Sequence, residues 1–156
     1  MSPSKKKTQL PAWLTNSTWH QAFLVLIGTL LYANTLGHDY TQDDAIVIYD
    51  NEFTTRGIQG IPDLFRYDTF RGFFKEEGKD KLVAGGRYRP LTPALFALEW
   101  HLFGRNPMVG HLVNALLYGL TGLVLCRTLL FLLAFAKKKK YRLFIARAAT
   151  LLFLVH

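Results

Sequence analysis

The chain has 156 residues, half of them hydrophobic, with a mean hydropathy of +0.12 and a net charge of +8. It is too apolar for an average soluble domain and too polar for a pure membrane bundle, so it fits a few membrane spans plus one sizeable polar loop. The single cysteine, Cys126, excludes an internal disulfide framework, and its apolar neighbours make it a small buried hydrophobe.

The positive charge is segregated. All eleven acidic residues fall between Asp39 and Glu99, whereas Lys5–Lys7, Arg127, Lys137–Lys140, Arg142 and Arg147 lie outside that stretch. No aromatic residue interleaves Lys137–Lys140, and apolar segments flank the run. It therefore marks a cytoplasmic membrane end and speaks against a nucleic-acid partner.

In chain order, residues 1–17 read as a cytoplasmic tail, with Trp13 and Trp19 as interfacial anchors. Residues 18–36 read as a first transmembrane helix, with Ala22–Leu36 its apolar body. A cleaved signal peptide is the competing reading, but no small-x-small site follows. Residues 37–107 form a long loop on the non-cytoplasmic side, too short to make much core of its own. Two interfacial helices are expected in it, over about 57–74 and 93–103. Ile58, Ile61, Leu64 and Phe65 share the apolar face of the first. Thr92 as N-cap and Pro93 at the first helical position begin the second, and Gly104 ends it. Leu91, Leu95, Leu98 and Leu102 follow one face. The charged, Gly-rich stretch Glu76–Gly86 between them reads as a mobile connection.

Residues 108–135 read as a second span, in which Gly110, Gly119 and Gly122 permit close helix packing. Residues 136–142 return the chain to the cytoplasm, and 143–156 begin a third span that stops mid-pattern, as in a truncated chain. The fold class is all-α membrane protein, with two to three transmembrane helices.

The loop gathers the polar residues that chemistry needs. Asp43 and Asp44 form an acidic pair at the mouth of the first span, Arg87 and Arg89 precede the second interfacial helix, and His111 and Asn114 share a face at the top of the second span. A carboxylate can accept the proton of an acceptor hydroxyl, and an arginine can bind the phosphate of a lipid-linked donor. Structural roles suit the same residues: a solvated pair, head-group contacts, and hydrogen bonds between helices. No cofactor is legible. A hard divalent cation on Asp43 and Asp44 is the one candidate, and two adjacent oxygen donors fall short of a site.

Three stretches resemble a known family. Tyr32–Asn51 (YANTLGHDYTQDDAIVIYDN) is similar to the first-loop motif of membrane O-mannosyltransferase-like proteins. Arg87–Thr92 (RYRPLT) resembles their Tyr-Arg-Pro-Leu-Thr motif, and Asn106–Leu116 (NPMVGHLVNAL) their Pro-x-x-x-His-x-x-Asn motif. The resemblance is to GT-C glycosyltransferases, in particular the bacterial relatives of the tetratricopeptide-repeat-containing transmembrane O-mannosyltransferases. It implies the N-terminal part of a multi-pass enzyme of the bacterial inner membrane, with its N-terminus cytoplasmic and its loop periplasmic. It further implies transfer of a sugar from a polyprenyl-phosphate donor to a protein or glycan hydroxyl, with Asp43 or Asp44 in catalysis. His156 resembles the first His of the family's third-span exit. The rival expectation is a small non-enzymatic membrane subunit or scaffold.

Overall fold

The computed structural model describes residues 17–41, 43–76, 88–135 and 141–156. The expectations placed on the N-terminal tail, on most of the Gly-rich connection, on Arg87 and on Lys137–Lys140 lie outside the described residues. All regular structure among those described is helical. The helices are α1 (Ser17–Leu31), α2 (Glu52–Thr55), α3 (Ile61–Arg66), α4 (Thr69–Phe74), α5 (Leu91–Phe103), α6 (Pro107–Leu132) and α7 (Arg142–Val155). Short tighter or wider turns lie at Ala33–Gly37, Ala45–Tyr49, Gly57–Gly60 and Leu133–Phe135.

The chain divides into two units. One comprises residues 1–33 and 114–156, the other residues 34–113.

In the helical unit, Leu24, Cys126, Ala146 and Leu154 form the buried core. Of the three glycines expected to allow close packing, Gly119 and Gly122 do so, whereas a Cβ on Gly110 would meet only the Glu99 side chain. A Cβ on Gly28 would lie 2.7 Å from the Gly119 Cα, and a Cβ on Gly122 would lie 2.9 Å from Leu154 side-chain atoms. Only glycine allows the α1 and α6 backbones to approach so closely. Tyr118 adds a polar link, donating its hydroxyl to the Phe153 carbonyl at 3.1 Å. Residues Pro107–Phe135 are long and apolar enough to cross a membrane, and only 17% of their apolar window is buried by protein. That exposure distinguishes the segment from a soluble core helix and suits a lipid environment. The first helix is shorter than expected: it ends at Leu31, and a 3-10 turn takes over from Ala33.

The loop unit has a small core of its own, contrary to the expectation from its length. Phe53, Leu64 and Ala97 are buried together, with Ile61 and Tyr67 against them. The stretch expected to be one interfacial helix over 57–74 is broken into three pieces. Tyr67 is extended, and the Asp68 side chain accepts from the Phe70 N–H at 2.9 Å, capping a new helix. The expected apolar stripe splits accordingly: Leu64 is buried while Ile58 and Phe65 stay exposed. The next helix begins at Leu91, one residue before the expected Thr92 cap, with Pro90 as N-cap and no side-chain cap bond. Its buried residues are Pro93 and Ala97, while Leu91, Leu98 and Leu102 face outward. Gly104 ends α5 as expected: it has φ +64, and its N–H bonds the Trp100 carbonyl at 2.9 Å.

Candidate active site

The turn that follows the acidic pair is held by a polar keystone. Asn51 is fully buried. Its Nδ2 donates to the carbonyls of Ile46 and Thr69, both at 2.9 Å, and its Oδ1 accepts from the N–H groups of Phe53 and Thr54. One side chain thus satisfies groups from three short segments that cannot satisfy themselves. Gly72 makes room for it, because a Cβ there would collide with Asn51 Oδ1. Thr54 reinforces the same turn by donating its hydroxyl to the Val47 carbonyl at 2.8 Å.

Immediately before this fixed turn stand Asp43 and Asp44. Asp44 is half-buried. Its Oδ2 accepts from the Thr41 N–H at 2.7 Å and the Thr41 hydroxyl at 3.1 Å, which orients the carboxylate and leaves Oδ1 for another partner. Asp43 is exposed. The residues following the pair, Ala45–Tyr49, form a single π-helical turn. Such widened turns are frequent at functional sites.

Four residues that the sequence did not single out, Tyr40, Tyr49, Glu99 and Arg105, are linked to one another, and Asp44 acts on Tyr40. The Tyr40 and Tyr49 rings lie 5.5 Å apart, and the Arg105 guanidinium stands 4.7 Å over the Tyr49 ring. Tyr40 lies in the fields of Glu99, Arg105 and Asp44. Burial raises its hydroxyl pKa above the ordinary value, followed by the Glu99 carboxylate. Arg105 and the Asn106 backbone N–H act the other way, and Asp44 raises it further. The Glu99 carboxyl is itself raised above the usual carboxylate range by burial. Its Oε1 is buried with no hydrogen-bond partner among the described residues, while Oε2 faces Gly110, 3.3 Å from where a Cβ would stand.

The structure thus brings Tyr40, Asp44, Tyr49, Glu99 and Arg105 into one neighbourhood. The expected residues fare differently. Arg89 is exposed just before α5, and Arg87 is outside the described residues. His111 sits in the first turns of α6 with a buried Nε2 that has no hydrogen-bond partner among the described residues. Asn114 follows on the same helix and is exposed, and His156 ends the chain just after α7, also exposed. Among the described residues no group of three or more His, Cys, Asp or Glu side chains is placed to hold a metal ion.

Glu99 and Arg105 carried a weak sequence signal. Glu99 is the one acidic residue of α5, and Arg105 sits in the short linker between two helices. Nothing in the linear order ties either residue to Asp44, some fifty-five to sixty positions earlier.

A mostly helical chain with, among the described residues, one membrane-length helix and a polar loop rich in carboxylates and arginines is the class these observations define. Comparison with curated proteins finds similarity to a Protein O-mannosyl-transferase tmtc2 of Xenopus laevis, 34% identical over 111 residues. The match covers 66% of this chain and 12% of that protein. No family model matches the chain, and no solved structure matches it.

Proposed function

We propose that this chain is the N-terminal part of a membrane glycosyltransferase of the GT-C type. On this reading it moves a sugar from a polyprenyl-phosphate donor to a hydroxyl of a protein or glycan on the non-cytoplasmic side of the membrane. The observation that carries the reading is the oriented carboxylate of Asp44, whose Oδ2 is held by Thr41 ahead of a hydrogen-bonded turn. The similarity to an O-mannosyl-transferase supports it, as do the motifs around Asp43-Asp44, Arg89 and His111.

The acceptor hydroxyl attacks the anomeric carbon, and Asp44 takes its proton. The bond from the anomeric carbon to the phosphate oxygen breaks, and its electron pair stays on the polyprenyl phosphate. Asp43 serves as a second ligand contact beside it. The leaving phosphate needs a nearby cation, for which the sequence offers Arg87 and Arg89. His111, Asn114 and His156 are supporting groups at the ends of spans. The N-terminus lies in the cytoplasm in an arrangement of two to three spans, α1, α6 and the start of a third at α7. The resemblance favours a bacterial inner membrane.

The test is direct. The full-length protein, reconstituted in vesicles, is given a panel of polyprenyl-phosphate sugars and hydroxyl acceptors. Acceptor-dependent sugar transfer and release of polyprenyl phosphate are expected. No transfer from any donor in the panel would contradict the reading.

A further inference from the structure

We propose that Arg105 is the residue that binds the donor's phosphate, a role the sequence gives to Arg87 and Arg89; this rests on the glycosyltransferase reading above. Arg105 is exposed, and it makes no ion pair with a described residue. Its guanidinium is nevertheless not loose, because it rests over the Tyr49 ring at 4.7 Å. A planar cation on an aromatic face keeps its N–H edges for another partner, and those edges match two phosphate oxygens. An oriented cation that is not ion-paired with a described carboxylate is the arrangement an incoming anion needs.

Placement decides between the arginines. Arg89 precedes α5 and Arg105 follows it, and α5 is 13 residues long. At ~1.5 Å per residue the two stand roughly 20 Å apart along the helix axis. The turn that Asp44 caps is at the Arg105 end of α5: Arg105 lies over Tyr49, Tyr49 is the last residue of that turn, and the Tyr40 ring lies 5.5 Å from the Tyr49 ring. An attacking hydroxyl and its leaving phosphate are separated by one carbon, so base and phosphate-binding cation must share one neighbourhood. Arg105 shares that neighbourhood with Asp44, and Arg89 is a helix length away. The ligand class is a phosphate ester at the membrane surface, and the observations favour the reacting donor over an ordinary phospholipid head group.

The test compares full-length wild type, Arg105→Lys, Arg105→Ala and Arg89→Lys in phosphatidylcholine vesicles. Two quantities are read: binding of sugar-free polyprenyl phosphate, and apparent KM for the polyprenyl-phosphate sugar. Thermal unfolding serves as the folding control. A lost charge-assisted hydrogen bond predicts about tenfold weaker binding and about tenfold higher donor KM for both Arg105 variants, with unchanged melting. Arg89→Lys should weaken binding and raise donor KM by less than either Arg105 variant does. Binding by Arg105→Ala within twofold of wild type would overturn the assignment, as would the absence of saturable polyprenyl-phosphate binding by wild type. A second set of vesicles contains phosphatidylglycerol. If Arg105→Ala loses only adhesion to these anionic vesicles and keeps its polyprenyl-phosphate affinity, the residue is a head-group contact and the proposal fails. The two readings separate cleanly. Arg105-dependent phosphate binding without sugar transfer would sink the transferase and leave the phosphate site. Sugar transfer unaffected at Arg105 would do the reverse.

Discussion

The two units solve the same packing problem with opposite chemistry. In the loop unit a buried amide, Asn51, bonds two carbonyls and two N–H groups from different short segments. In the helical unit the close contacts are made by missing side chains, at Gly28, Gly119 and Gly122. The difference follows from the backbone. Long helices satisfy their own N–H and C=O groups, so what remains is how near two cylinders can come. Segments of four to six residues, such as α2, α3 and α4, leave most of their groups orphaned, and a polar side chain has to supply the partners.

The comparison predicts its own hierarchy of damage. Asn51→Ala should be the most harmful packing change, because two donors and two acceptors lose their partner in a buried site. At about 1–3 kcal/mol per unsatisfied group, the loss should reach several kcal/mol. It should appear as accelerated hydrogen exchange over residues 44–74, with the helical unit protected as before. Gly119→Ala attacks the other unit. Its Cβ would lie 2.5 Å from the Val25 carbonyl oxygen and 2.8 Å from the Thr29 hydroxyl, so the helices must separate. Overpacking of this kind costs about 1–3 kcal/mol, readable as lowered thermal stability with normal exchange in the loop.

Smaller still is Thr41→Val, which keeps the backbone bond to Asp44 and removes the hydroxyl one. A single hydrogen bond of about 0.5–1.5 kcal/mol predicts a several-fold fall in turnover with stability nearly unchanged. Glu99 gives the mildest effect, seen only as pH dependence. Its folded-state pKa is raised, so the folded protein holds a proton that the unfolded chain releases. Stability should therefore fall as pH rises from the ordinary carboxylate value through the raised one, and Glu99→Gln should flatten that decline. Equal slopes for the two proteins across that window would refute the burial of Glu99.

How much of this was legible in the sequence depends on the unit. Gly119, Gly122 and the apolar run of α6 announce themselves, because helix packing in lipid leaves a local signature of small residues. Gly104 likewise signals the end of α5 by itself. The loop unit was harder. A stripe spaced for one helix from Ile58 to Phe74 gave no hint that Asp68 would cap a new start, since a side-chain cap competes locally with helix continuation. Asn51 stood in the first-loop motif, yet its role depends on Thr69, eighteen residues later. Asp43 and Asp44 were visible as a pair. The orientation of Asp44 by Thr41, and the company of Glu99 and Arg105, are tertiary facts that no spacing rule contains.

The central claim is that the loop unit holds Asp44 rigidly so that it can take a proton from an acceptor hydroxyl. Its most direct test is turnover by full-length Asp44→Asn at saturating donor and acceptor. The amide keeps the shape and an oxygen acceptor for Thr41 but cannot act as the base. General base catalysis is worth about 10²–10⁴-fold, so a fall of that size is expected with unchanged melting and unchanged polyprenyl-phosphate binding. Turnover by Asp44→Asn within a few-fold of wild type would contradict the account.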